Sequence, residues 1–362
     1  MYGHRMAART LLILASICLG VSGGAAQTMQ QQTTHDGVQL AMQGRFDDAR
    51  EVWENVGDGA ALRNLAGLFV TGVLGQPDLN AARDHFSRAA ALGDAQAMLS
   101  LGYMSLNGAG TTRNAGTAED WFRKAAARDL PEGQVMLARS ILDRPADAAE
   151  IEHALTQLNA ASEALHPPAL MLIAELLRSG SFTEMDVEKA AEFYELAAEL
   201  GAAEALGELG DMYLFAEIGA PDIPRANDYY VQASEKGVSG AMYSLAYLLY
   251  GEPDAGAETL DRAFGYARMS SLAWDERGQL LLGRMYIDGR AVPQDYEQAY
   301  FWLDLAASAG VIEAHHLRAL AHAAIGDDGA EKMHAVARRW FDENHDTPHV
   351  HRLLQTSEHK FR

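Results

Sequence analysis

The sequence predicts an all-α protein, a right-handed α-solenoid of about eight stacked helix-turn-helix repeats of about 36 residues each. Two columns of residues carry that prediction. A small residue recurs at Ala61, Ala97, Gly133, Ala169, Ala205, Ala241, Gly278 and Ala314, opening one helix of each unit. A second column closes the other helix at positions 93, 129, 165, 201, 237, 274 and 310, in steps of 36, 36, 36, 36, 37 and 36. Two independent phases that share one period over most of a chain do not arise by chance.

The unit itself has a readable physics. In Ala205-x-x-x-Leu209-Gly210-x-x-Tyr213 the marked residues fall on one face of a 3.6-residue helix. Ala and Gly there let a second helix approach closely, while Leu and Tyr fill the space around them. The partner helix repeats the scheme, as in Ala226, Tyr229, Tyr230 and Ala233. Glycine at 93, 201, 237 and 310 supplies the left-handed closing residue that an L-side chain resists. Asp78, Asp186, Asp222 and Asp295 stand just ahead of the second helix, where a carboxylate caps free N–H groups. Neither helix can bury its apolar face alone, so the units must stack.

The clearest copies are Leu282-Gly283-x-x-Tyr286-x-x-Gly289 and the segment from Asp295 to Gly310, with Ala299, Trp302-Leu303 and Ala306-Ala307. The latter recurs from Asp186 to Gly201, with Ala190, Phe193-Tyr194 and Ala197-Ala198. This pattern resembles the Sel-one-like repeat, a longer relative of the tetratricopeptide repeat. The resemblance covers about residues 60–310 and departs from the pattern in the units at 133–165 and 241–274. There Ala154-x-x-Gln157-Leu158 lacks the aromatic pair, and Arg262-Ala263-x-x-Tyr266 leads to Ser270-Ser271.

Taken in order, residues 1–26 read as a cleaved secretory signal: Arg5 and Arg9, an apolar run over 11–21, then Gly24-Ala25-Ala26 before Gln27. Residues 27–59 form a tail and a first unit, 38–57 resembling a shorter tetratricopeptide repeat. Residues 311–362 hold a partial repeat, a capping helix with Met333, Val336, Ala337 and Trp340 on one stripe, and a polar tail. The expected location is periplasmic or secreted, with no membrane span after cleavage, because no apolar run reaches the roughly 20 residues a bilayer requires.

The net charge of −21 becomes −23 without the two Arg of 1–26. Such a surface excludes nucleic acid, which needs clustered Lys and Arg. The one cysteine, Cys18, lies within the signal, so the fold is expected to use no disulfide. Relatives of the repeat that are linked to β-lactam chemistry carry paired cysteines that this chain lacks.

No catalytic constellation emerges and no cofactor is implied: there is no glycine-rich phosphate loop, H-E-x-x-H or Gly-x-Ser-x-Gly. Histidines gather near the C-terminus, from His315 and His316 through His322 and His334 to His345, His349, His351 and His359. The two-residue spacing of His349 and His351, and Pro348 beside them, do not suit a metal site on a helix. A cell-wall hydrolase and a His-mediated metal protein are thus the weaker alternatives to a scaffold that binds another protein or peptide segment.

In repeats of the resembling kind the first helix of each unit lines the concave surface. Positions that avoid the packed stripe then form the groove. They include Tyr103, Glu175, Glu204, Asp211, Tyr243, Tyr247, Tyr250 and Arg284, with Arg63, Arg178 and Arg277 further along. Three tyrosines on one helix beside acidic residues suit a protein partner, since tyrosine is a rigid amphipathic anchor. Roles in envelope regulation, polysaccharide assembly or motility are what the resemblance implies.

Overall fold

A computed structural model describes residues 29–344. The signal-peptide reading and the histidines from His345 onward lie outside them. Among the described residues the chain is helical, with no strand. It divides into two compact units, one ending at Glu184 and one beginning at Met185.

The first unit holds α1 (Met29–Met42), α2 (Phe46–Val56), α3 (Gly59–Thr71), α4 (Leu79–Ala91), α5 (Ala95–Asn107), α6 (Ala115–Ala126), α7 (Pro131–Leu142), α8 (Ala148–Glu163) and α9 (Pro167–Ser179). The second holds α10 (Val187–Glu199), α11 (Ala203–Leu214), α12 (Ile223–Glu235), α13 (Ser239–Gly251), α14 (Ala257–Leu272), α15 (Glu276–Asp288), α16 (Tyr296–Ser308) and α17 (Ile312–Asn344). From α3 onward, odd-numbered elements are first helices and even-numbered ones second helices. The initial pair begins earlier than residues 38–57 suggest. Gly37 of α1 lets Trp53 of α2 approach so closely that an added Cβ would lie 2.4 Å from its Nε1. That nitrogen instead donates to the Thr34 carbonyl at 3.1 Å, and Trp53 is buried.

The glycine of the Leu-Gly step in the first helices explains how tightly the helices meet. An added Cβ on Gly102 would lie 2.3 Å from the Phe122 ring, and one on Gly210 would lie 2.5 Å from the Tyr230 ring. The second aromatic of each pair therefore fills the interface: Phe86, Phe122, Tyr194 and Tyr230 are all buried. At the expected caps, Asp78 accepts from the Asn80 and Ala81 amides, Asp186 from Lys189, Asp222 from Arg225 and Asp295 from Gln298. Asp58, Asp94 and Asp275 do the same for α3, α5 and α15.

The closing column is left-handed throughout. Gly93, Gly201, Gly237 and Gly310 have φ of 90°, 99°, 87° and 101°. Where glycine is missing the conformation persists, with φ of 54° at Asp129, 54° at Leu165 and 66° at Trp274. Stacking thus imposes the turn even on residues that resist it.

The two divergent units keep the helix pair but apportion it differently. Their second helices, α8 and α14, are 16 residues long, whereas α4, α10, α12 and α16 have 13. The connections 143–147 and 252–256 are correspondingly shorter than 72–78, 108–114, 180–186 and 289–295. Helix is exchanged for loop, and the period survives.

Helix α17 contains one non-helical residue, Gly326 (φ 75°, ψ 175°), which separates a first limb, 312–325, from a second, 327–344. The second limb buries Ala330, Met333 and Ala337 and sets Trp340 against Phe301 and Trp302 at 5.8 Å each. Val336, expected on that stripe, is exposed. It lies one residue off the Met333–Ala337–Trp340 line, and the neighbouring helix covers only that line.

Candidate partner-binding face

In the first unit the exposed side of the first helices is laced by polar contacts. Arg63 reaches Asp94 of the next repeat at 3.2 Å. The Tyr103 hydroxyl donates to Glu132 at 2.8 Å, and His166 Nε2 meets the same carboxylate at 2.8 Å. Burial alone would raise Glu132, but the hydrogen bonds from His166 and Tyr103 outweigh it and hold the carboxyl below its usual range. Burial, then Glu132, pushes the Tyr103 phenol well up. Tyr103 is therefore half-buried and spent on its neighbour, whereas Glu175 is exposed.

In the second unit the predicted residues divide sharply. Glu204 is exposed, but Asp211 is half-buried and accepts from the Tyr230 hydroxyl at 2.5 Å. Tyr250 does not join an aromatic stripe: it is 9% exposed, and its hydroxyl donates to Asp288 of the next repeat at 2.7 Å. The last turn of α13 carries its ring under Arg290, whose guanidinium donates to the Tyr250 carbonyl at 2.7 Å. Burial and Asp288 together raise its phenol far above the usual value.

Tyr247 is the contrast, at 57% exposed. Its ring lies 5.9 Å from that of Tyr243, and the Arg277 guanidinium sits 4.8 Å from the Tyr243 ring centre. Asp275 holds Arg277 by two contacts, at 3.0 and 3.2 Å, and so fixes it over that ring. Arg284 stands half-exposed two turns further along the same helix as Arg277, α15, with Asp288 at 3.7 Å and Glu313 at 3.9 Å, both too long for a hydrogen bond. The result is an exposed tyrosine backed by a second one, with a clamped arginine and a loosely held one both on α15 of the next repeat.

One buried polar centre escaped sequence reasoning. Asp304 of α16, its side chain 4% exposed, accepts from Arg318 of the first limb at 2.5 Å and lies 2.7 Å from His334 Nδ1 of the second. An aspartate in the otherwise apolar run Phe301-Trp302-Leu303-Asp304-Leu305 is the sequence signal that points to it. Of the other C-terminal histidines, His322 meets Asp327 at 2.9 Å, while His315 and His316 are exposed. Among the described residues no three His, Cys, Asp or Glu side chains converge as metal ligands. No helix there is long and apolar enough to cross a membrane.

Comparison with known proteins fits this geometry. Residues 59–94, 95–130, 167–201, 203–238 and 277–311 match the Sel1 repeat family. The two intervals without a match hold α7–α8 and α13–α14, the pairs with the long second helix. The chain shares its fold with a protective antigen of uropathogenic Escherichia coli that displays an SLR fold, at a TM-score of 0.59 and 18% identity over 91% of this chain and 79% of that one. It is likewise similar to a Sel1 repeat protein from Oxalobacter formigenes, at a TM-score of 0.58 and 25% identity over 85% of this chain and 92% of that one. A stretch of 59 residues is 46% identical to part of the alginate biosynthesis protein AlgK of Pseudomonas aeruginosa, spanning 16% of this chain and only 12% of that protein. With five matched repeats and the shared solenoid fold, the chain belongs to the Sel1-repeat family, whose members mediate protein–protein interactions.

Proposed function

We propose that this Sel1-repeat protein is a non-catalytic scaffold of the bacterial envelope, exported by residues 1–26, that holds a segment of another protein against its first helices. The observation that carries the reading is Tyr247. A large ring left in water on a first helix, tilted against a second tyrosine and with arginines on the first helix of the next repeat, is the composition of a protein-binding anchor. The segment that suits it offers an apolar side chain to Tyr247 and an acidic group to Arg284. Export is supported by the signal-like N-terminus and by the likeness to an alginate biosynthesis protein.

A photo-reactive amino acid placed at 247 in living cells should capture that partner, and the same group at exposed Leu92 should not. Tyr247→Ala should then weaken binding of the captured partner at least tenfold, about 1.4 kcal/mol, without shifting the thermal melt. Unchanged affinity would remove Tyr247 from the interface. For export, the first residue of the purified native protein should be Gln27, and Met1 would contradict it.

A further inference from the structure

We propose that Gly326 is a hinge whose left-handed dihedrals hold residues 327–344 on their own unit, and that straightening it lets them cap the same face of a second copy of this chain.

The argument begins at the backbone. With φ 75° and ψ 175°, Gly326 occupies a region essentially closed to residues with a side chain. It is also the whole connection between two helices. The other first and second helices are joined by segments such as 143–147 or 180–186, but here none intervenes. Rotation at one residue therefore decides whether 312–344 folds back or runs straight.

The docking site of the second limb is specific. Met333 and Ala337 are buried, Trp340 lies 4.9 Å from Trp274 and 5.8 Å from both Phe301 and Trp302, and His334 meets buried Asp304. The Arg318 contact of Asp304 comes from the first limb, so the contacts of His334 with Asp304 and of Lys332 with Glu297 are the polar links to α16 that depend on the fold-back. If Gly326 adopts helical dihedrals, the limbs fuse into one rod about 50 Å long. The second limb is then carried away from its own α16, and both apolar surfaces meet water. Two chains opened in this way are mutually complementary, because the packing that each gives up internally is remade between them. Such exchange is favoured where a very short connection joins two packed elements.

The test uses the full chain with Cys18→Ser, Glu297→Cys and Lys332→Cys, the last two replacing a contact of 3.4 Å between α16 and the second limb. A short bis-maleimide then reports which chain's limb lies on which α16. With Gly326 present the cross-link should form within one chain. Gly326→Ala adds a Cβ that meets nothing within 4 Å, so it penalises the fold-back dihedrals without a clash. That variant should sediment as two chains, and its cross-link should join chains on a denaturing gel. Inserting Gly-Ser-Gly-Ser after position 326 in the Ala variant gives the chain a true loop and should restore the intrachain product. The proposal is overturned if Gly326→Ala stays at one-chain mass, if its cross-link remains intrachain or is lost through detachment of the limb, or if the insertion fails to restore the wild-type pattern.

Discussion

Adding one methyl group at two glycines of the second unit should move stability in opposite directions. At Gly237, φ is 87° and an added Cβ meets nothing within 4 Å. At Gly265, inside α14, an added Cβ also meets nothing within 4 Å, but the backbone is helical. Packing is therefore equal, and only the dihedral differs. An L-residue held left-handed loses roughly 1–2 kcal/mol. Restricting the unfolded chain returns about 0.4–1 kcal/mol. Gly237→Ala should thus destabilise by about 1 kcal/mol, whereas Gly265→Ala should stabilise by roughly 0.5–1 kcal/mol. Urea unfolding followed by helical circular dichroism, at unchanged slope, reads both as shifts of the midpoint. If the two midpoints move the same way, stacking does not hold the closing column left-handed, and it cannot be what imposes that conformation on Asp129, Leu165 and Trp274.

Other perturbations test the polar contacts. Tyr250→Phe removes one hydrogen bond to Asp288 and should cost about 1 kcal/mol, while Tyr247→Phe, with its hydroxyl on an exposed ring, should leave the melt unchanged. Asp304→Asn leaves Arg318 and His334 facing a neutral amide and should cost about 2 kcal/mol in urea unfolding; a loss below a few tenths would show that the clasp contributes nothing. The His85 imidazole, stacked on Phe69 at 5.3 Å, is held below its ordinary pKa by burial and then by Arg88. The folded state therefore binds this proton less readily than the unfolded state. The resulting stability is complete above about pH 6.5 and is lost as pH falls through the lowered folded value. His85→Phe should keep the stack and flatten that part of the acid dependence between pH 7.5 and 5.

Much of this was legible beforehand. The period, the alternation of helices, the Asp caps and the left-handed glycines at 93, 201, 237 and 310 follow from local rules, and all are in place; the same turn at Asp129, Leu165 and Trp274 does not follow from them. The binding face was legible only as a helical face. Tyr243, Tyr247 and Tyr250 share the right spacing, but spacing says nothing of what the next repeat sets opposite each ring. Asp288 and Arg290 take Tyr250 into the interior because the next repeat stacks on it, and Tyr230 claims Asp211 from the second helix of the same repeat. The lengths of α8 and α14 were hidden for a related reason. Their boundaries shift by a turn without disturbing either repeating column.

That shift separates recognisability from mechanical role. Residues 131–166 span the same length of chain as a matched repeat and present small, close-packed surfaces on α7 and α8, yet they carry no family signature. What this segment shares with a matched repeat is contour length and a left-handed exit at Leu165. A matched repeat transplanted into its place should meet α6 and α9 in the original register and leave the face around Tyr247 as it is.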